Sequence, residues 1–274
     1  MRVLFQNHSS ILLQHDDKYL LTDPWYDAPA FGSWLPSVPP YIHPVYFASL
    51  EDRLSILISH GHDDHFDEKF LKIFSKNTKF ISANFKSPSV IGRLKRLGFE
   101  NITQVSENEK KIDGLLVSSY INPDVSNDDA LYLIRNQDGA IIHANDNWNN
   151  FLKLHEKLIK ERTKNYSKKS ILLFSQTNSA SGYPLNYRNL KFEEKQTILK
   201  EKVLKMVKGG LRNAETLGLK NMFSYAGYAS AYVKGKKYVD EGLFPTSKYL
   251  INLLKENGIE NKINIPDLYP GDFI

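Results

Sequence analysis

The stretch His60-Gly61-His62-Asp63-Asp64-His65 places three histidines and two aspartates within six residues. It follows Leu54-Ser55-Ile56-Leu57-Ile58, an apolar run whose length is typical of a buried strand. Loops at strand ends present side chains to solvent and to ligands. Because the whole chain has only eight histidines, this grouping favours a metal site over a polar loop that is rich in histidine by chance.

The spacing within this loop predicts which side chains act together. In an extended turn, alternate residues point the same way, so His60 and His62 can bind one metal ion. Asp64 and His65 come one turn later and can reach a second ion a few ångströms away. The loop alone therefore predicts a site for one or two metal ions.

The flanking sequence predicts an α/β fold. Apolar residues alternate with polar ones before residue 22, with a turn at His15–Lys18, and this pattern predicts an antiparallel meander. Residues 24–46 contain six prolines and predict an irregular but ordered surface loop. Ser87-Pro88 predicts a helix start, with the proline as the first helical residue, and Gly98 predicts its end. Further strands are predicted at 79–82, 115–119, 130–135, 140–143 and 171–174, and helices near 150–163 and 191–216. No repeat or linker is evident, so residues 1–274 are predicted to form a single domain.

Composition excludes several classes of protein. The chain has no cysteine, so it can hold no disulfide, no thiolate nucleophile and no cysteine-ligated cluster. The net charge is +5, and its two lysine-rich runs, 153–169 and 191–208, are typical of solvated helix faces and not of a nucleic-acid platform. No apolar stretch is long enough to span a bilayer, and the first residues resemble a strand and not a signal peptide. We expect a cytoplasmic protein without nucleic-acid or membrane partners.

The loop at 60–65 matches the HxHxDH signature of the metallo-β-lactamase superfamily. This resemblance implies an αββα sandwich with one or two metal ions at one edge of the sheets. It also implies a later aspartate that bridges the metals, and Asp146 follows a predicted strand as that residue does. The predicted catalytic residues are Asp64 and Asp146, and the predicted metal ligands are His60, His62, Asp64, His65 and Asp146.

A narrower resemblance rests on short motifs in a fixed order. Together these motifs resemble the catalytic region of CMP-N-acetylneuraminic acid hydroxylases. The resemblance implies that a non-haem iron site hydroxylates an activated sialic acid with electrons from a Rieske cluster. The motifs are Leu21–Trp25, Pro29–Trp34, Asn145-Asp146, Asn178–Pro184, Tyr225–Tyr228 and Tyr269–Asp272.

Two departures from these families bear on the reaction. A Rieske cluster needs cysteines, so the electrons would come from a separate electron-transfer protein. Superfamily hydrolases also supply a histidine before the bridging aspartate and another near the C-terminus, but here none lies between His65 and His143 and none follows His155. Asn122 and Asp124 could stand in as oxygen ligands.

Several other residues have two interpretations. Asp23 either orients a metal-binding histidine or only ends a strand before Pro24. Trp25, Phe31 and Trp34 either line a substrate pocket or pin the proline-rich loop, with the second favoured. His143 is either a ligand, a partner of one, or a packed side chain, and His8 is predicted to be structural.

The residues left for a metal, His60, His62 and Asp146, form a set of two histidines and one carboxylate. Non-haem iron oxygenases use this set, and so do zinc hydrolases. The favoured hypothesis is an iron hydroxylase acting on an anionic sugar or nucleotide-sugar. The alternatives are a hydrolase that cleaves a phosphoester, lactone or amide through a metal-activated water, with Asp64 orienting that water or accepting its proton, and a non-catalytic binding protein that has lost part of its metal site.

Overall fold

Two six-stranded sheets frame the part of the chain that the computed structural model describes, which is residues 1–123, 128–147, 152–178, 183–184, 187–231 and 243–274. In spatial order, the first sheet contains β1 (Arg2–Asn7), β2 (Ser10–His15), β3 (Lys18–Thr22), β5 (Leu54–Ile58), β6 (Lys79–Ala83) and β7 (Ile102–Val105). The second contains β13 (Phe223–Tyr225), β12 (Ile171–Gln176), β11 (Ala140–His143), β10 (Leu131–Arg135), β9 (Leu115–Tyr120) and β8 (Lys110–Ile112).

The pairing of the strands follows from the connections between them. Strands β1 to β3 form the predicted antiparallel meander, and β3, β5, β6 and β7 are mutually parallel because the chain crosses over between them. In the second sheet, β8 to β11 are antiparallel, whereas β11, β12 and β13 are parallel. The described helices are α1 (Pro44–Ser49), α2 (Glu68–Leu71), α3 (Ser89–Arg96), α4 (Lys153–Thr163), α5 (Phe192–Thr216) and α6 (Ser247–Glu256).

Successive side chains of β10 point in opposite directions, and the clusters that they enter show that the sheets pack face to face. Tyr132 and Ile134 belong to the buried cluster that contains the side chains of β1, β5 and helices α1 to α3. Leu131 and Leu133 point the other way, into a cluster with residues of α4, α5 and α6. The second sheet therefore lies between the first sheet and a helical layer, and the predicted αββα architecture is confirmed. The single-domain prediction stays a prediction.

Two local predictions need correction. Helix α3 begins at Ser89, one residue later than expected, with Pro88 as its N-cap residue and the Ser87 hydroxyl accepting from the Ser89 amide at 3.2 Å. The segment 24–46 is also less irregular than expected. It contains β4 (Trp34–Pro36), which pairs with β14 (Ala229–Ala231), and it runs into helix α1. The partner strand of β4 is remote in sequence, so a local pattern cannot reveal it.

Within the described residues, no helix combines the length and the apolar character that crossing a bilayer requires.

The Tyr132 hydroxyl joins the two sheets beside the loop at 60–65. It accepts from the Ala83 amide at 2.7 Å and donates to the Ile58 carbonyl at 3.3 Å. We expect Tyr132→Phe to lower the free energy of unfolding by about 1–3 kcal/mol, because it leaves a buried amide without an acceptor. Urea denaturation measures this change. The control Tyr41→Phe alters a side chain that is 62% exposed and should change stability by under ~0.5 kcal/mol. Equal effects of the two substitutions would show that the hydrogen bonds of the Tyr132 hydroxyl do not stabilise the fold.

Candidate metal centre

Contacts on both sides fix the loop that follows β5. The Arg93 guanidinium, from α3, donates to the Gly61 carbonyl at 2.6 Å and to the Glu68 carboxylate at 2.9 Å. Asp67 caps α2, and its Oδ1 accepts from the amides of Lys69 and Phe70, both at 3.0 Å. His62 and His65 therefore lie between two segments of the loop that hydrogen bonds hold in place.

His60, His62 and Asp146 form what we call the first cluster. His60 Nε2 lies 2.8 Å from His62 Nδ1, and both nitrogens lie 3.6 Å from Asp146 Oδ2. His60 is buried, but 56% of the His62 side chain and 28% of the Asp146 side chain are exposed. The first cluster is therefore open to solvent on the His62 side.

His8, Asp64 and His65 form the second cluster. Asp64 Oδ2 lies 3.2 Å from His8 Nε2 and 3.8 Å from His65 Nε2. All three side chains are buried. His8 comes from the turn between β1 and β2, and its φ is +41°.

The two clusters are neighbours, since the rings of His60 and His65 are 4.0 Å apart between centroids. The five residues predicted as ligands thus lie together, three in the first cluster and two in the second. His8, predicted to be structural, lies with Asp64 and His65 in the second cluster. Because His8 is far along the chain from the loop at 60–65, ligand spacing does not identify it. The sequence Asn7-His8-Ser9-Ser10 at a hairpin turn is the available indication.

Asp23 connects the loop to both sheets. Its Oδ1 accepts from the Ser59 amide at 2.7 Å, and its Oδ2 accepts from the Ser59 hydroxyl at 2.7 Å. The same Oδ2 lies 3.1 Å from His65 Nδ1 and 2.9 Å from His143 Nε2. Of the two interpretations of Asp23, the geometry favours the one in which it orients His65. His143 lies outside both clusters and contacts Asp23.

Tyr225 positions the turn that carries Asp146. Its hydroxyl accepts from the Asn145 amide at 2.7 Å, donates to Asn145 Oδ1 at 2.8 Å and lies 3.2 Å from His143 Nδ1. Two residues later along the same motif, the Gly227 carbonyl accepts from His8 Nδ1 at 2.8 Å. The motif at 225–228 thus contacts His8 of the second cluster and Asn145, the residue before Asp146 of the first cluster.

A carboxylate outside the predicted ligand set lies beside His60. Asp129 is buried, and its Oδ1 is 3.5 Å from His60 Nδ1. Burial and the nearby Asp146 carboxylate raise the pKa of Asp129 well above its usual range. Of the two oxygen ligands named from the sequence, Asn122 is buried and Asp124 lies outside the described residues. The Asp128-Asp129 pair before a strand was the available signal.

The electrostatics of the centre favour an added cation. Burial and the neighbouring His65 lower the pKa of His60 to about 3. Burial also opposes charge on His65, but the carboxylates of Asp64 and Asp23 outweigh it and raise its pKa to about 10. Burial would raise the pKa of Asp64, yet His65 and His8 hold it below its usual range. The buried carboxylates therefore favour positive charge at the two clusters.

The residues present fit a metal ion. The Oδ1 atoms of Asp64 and Asp146 are buried, and neither has a hydrogen-bond partner among the described residues. Donor atoms ~2.1 Å from a tetrahedral ion lie about 3.4 Å from one another, close to the spacings of the donor pairs in both clusters. Imidazole nitrogens with carboxylate oxygens suit iron or zinc.

The aromatic residues of the 24–46 segment have different roles. Trp25 and Trp34 are buried, and the Trp25 indole donates to the Ala28 carbonyl at 2.7 Å, so both rings pin the loop. Phe31 is 49% exposed, and its ring centroid lies 5.6 Å from that of His62. Phe31 therefore flanks the open side of the first cluster.

Residues 2–161 match the family described as the beta-lactamase superfamily domain. The chain belongs to this superfamily. Proteins of this fold hold one or two metal ions, and the two clusters supply suitable donors in this member. The superfamily prediction is therefore confirmed, whereas the narrower resemblance to CMP-N-acetylneuraminic acid hydroxylases stays a prediction.

Similar proteins fall into different functional groups. A segment of 111 residues, 40% of this chain, is 28% identical to a Mycolicibacterium smegmatis protein described as a Rieske 2Fe-2S iron-sulfur protein, and it spans 21% of that protein's length. A possible metal-dependent hydrolase from Veillonella parvula superposes with a TM-score of 0.61 at 14% identity, covering all of this chain and 98% of the other. CmlA, a diiron β-hydroxylase from Streptomyces venezuelae, gives a TM-score of 0.59 at 14% identity, covering all of this chain and 54% of CmlA. At these identities the superpositions establish the metallo-β-lactamase fold.

Asp23→Asn tests the contact that orients His65. Because an amide cannot accept from both histidines with equal strength, we expect metal affinity to fall about 10–100-fold. Competition with a chromophoric chelator measures the affinity, and circular dichroism confirms folding. The matched control is Asp113→Asn, since Asp113 accepts from Ser55 and Lys79 at 2.7 and 2.6 Å. Unchanged affinity in a folded Asp23→Asn protein would show that Asp23 does not support the site.

Proposed function

We propose that this protein is a non-haem iron hydroxylase that acts on an anionic sugar or nucleotide-sugar. The observation that carries the proposal is the first cluster, in which two imidazoles and one carboxylate converge on the solvent-exposed side of a buried site. Two histidines and a carboxylate on one face of iron leave coordination positions open for dioxygen. When bound, iron would supply the dioxygen chemistry that no protein side chain provides.

The likeness to CmlA supports this choice. CmlA is a diiron β-hydroxylase, and its superposition covers the whole of this chain. Three of the motifs that resemble those of a hydroxylase contribute to the centre. Asp23, Asn145 and Tyr225, each from a different motif, lie in one hydrogen-bond network with His143.

The proposed reaction needs an external reductant. Inserting one oxygen atom of dioxygen into a C–H bond and reducing the other to water consumes two electrons and two protons. These 274 residues contain no cysteine and hence no Rieske cluster. We propose that a separate electron-transfer component supplies the electrons, and the identity with part of a Rieske iron-sulfur protein supports a partner of this type.

The chain's own residues would bind and orient the substrate at the open side. Phe31 offers an aromatic face next to His62, and such a face suits the apolar surface of a substrate in a polar site. Asp146 is the more exposed of the two proposed catalytic carboxylates, so it can accept a proton from a substrate group. Asp64 is buried between His8 and His65 and holds charge at the second cluster.

A hydrolase is the second candidate. The absence of cysteine favours it, because a metal-activated water needs no electron source. The possible hydrolase of Veillonella parvula also superposes over nearly its full length, whereas CmlA does so over 54%. The substrates would be phosphoesters, lactones or amides, and Asp64 would orient the water or accept its proton.

Metal analysis and exposure to dioxygen distinguish the hydroxylase from the hydrolase. We expect protein purified without chelators to contain iron, and the anaerobically reduced protein to change its absorption spectrum when dioxygen is admitted. His60→Ala should lose this iron, since it removes a donor to the first cluster, whereas the control His43→Ala changes an exposed helix cap and should retain it. Tightly bound zinc, no response to dioxygen and cleavage of phosphodiester or lactone substrates would refute the hydroxylase. Unchanged metal content in His60→Ala would refute the site.

A further inference from the structure

We propose that His8 is a metal ligand and that His8, Asp64 and His65 bind a second ion next to the one at the first cluster. This inference rests on the proposed metalloenzyme function and adds a ligand to it. His8, from the first hairpin, supplies a second imidazole beside Asp64 and His65.

The hydrogen bond to Gly227 determines which nitrogen of the His8 ring carries the proton. A carbonyl oxygen can only accept, so His8 Nδ1, 2.8 Å from it, carries the proton. In the neutral ring, Nε2 then has a lone pair, and this lone pair faces Asp64 Oδ2 at 3.2 Å. Two acceptors this close repel each other unless a proton or a cation lies between them.

The His65 ring is oriented in the same way, with Nε2 toward Asp64. Its Nδ1 lies 3.1 Å from the Asp23 carboxylate, which leaves Nε2 directed toward Asp64 Oδ2 at 3.8 Å. A carboxylate or carbonyl on the far nitrogen of each ring is the usual arrangement around metal-binding histidines. The Nε2 atoms of both rings and one carboxylate thus converge on a single point.

The second cluster leaves a buried carboxylate oxygen unsatisfied. The His8 and His65 rings lie 5.8 Å apart between centroids, and both are buried. Asp64 Oδ1 has no hydrogen-bond partner among the described residues. One divalent cation satisfies both nitrogens and the carboxylate together.

The backbone holds His8 in place for this role. Its φ is +41°, a conformation that costs free energy for a residue other than glycine. The His8 carbonyl accepts from the Ala226 amide at 2.8 Å, and the ring packs edge-on against Trp25 at 4.8 Å. His8 is therefore held by its backbone, by the hydrogen bond at Nδ1 and by the ring contact with Trp25.

Counting bound zinc tests the proposal. Chelator-treated protein is dialysed against Zn²⁺, and metal per chain is measured by mass spectrometry. We expect two ions in the wild type and one in His8→Gln, with the second Zn²⁺ bound at least ~100-fold more weakly. The matched control is His155→Gln, since His155 is also buried and also lies near a carboxylate, that of Glu107 at 3.3 Å. The control should keep two ions.

If His8→Gln does not fold, a histidine ¹H–¹⁵N spectrum of the zinc-loaded wild type gives the answer. A ligand His8 has a proton on Nδ1 and a zinc-shifted Nε2, whereas an ion pair with Asp64 has protons on both nitrogens. Two ions in a folded His8→Gln protein, or a doubly protonated His8, would overturn this inference while leaving the first cluster intact. A wild type that binds no metal would overturn the proposed function as well.

Discussion

The buried carboxylate of Asp23 is the constraint on which the centre depends. It follows the last residue of β3 and accepts hydrogen bonds from the Ser59 amide and hydroxyl at the start of the histidine loop. It also contacts His65 from that loop and His143 from the end of β11 in the other sheet. Because one carboxylate serves three chain segments, the loop cannot shift without breaking contacts to both sheets. Burying this charge costs free energy that only these donors offset.

The fold places these segments together for a simple reason. Strands β3 and β5 are parallel in one sheet, and β11, β12 and β13 are parallel in the other. The carboxyl ends of parallel strands lie at the same edge, so the residues that follow them meet there. Asp23, the histidine loop, Asp146 and the motif at 225–228 all follow such ends. The hairpin that carries His8 completes the edge.

Part of this arrangement could be predicted from the sequence, and the rest depends on contacts between distant residues. The loop at 60–65 has its ligand spacing within six residues, and the hydrophobic run before it identifies a buried strand. Asp146 could be placed because a strand precedes it. His8 and Tyr225 could not be placed, since their partners Gly227 and His143 lie 219 and 82 residues away. The Asp128-Asp129 pair precedes a strand, but the contact of Asp129 with His60 is made in space and has no ligand spacing in the sequence.

Anomalous diffraction tests the central claim, that two adjacent His/Asp clusters hold metal, most directly. Crystals of protein purified without chelators are measured on both sides of the iron and zinc absorption edges. We expect two anomalous peaks about 3.5–4 Å apart. One marks an ion bound by His60, His62 and Asp146, and the other marks an ion bound by Asp64, His65 and His8. Crystals with no peak at the clusters, after soaking in either metal, would contradict it.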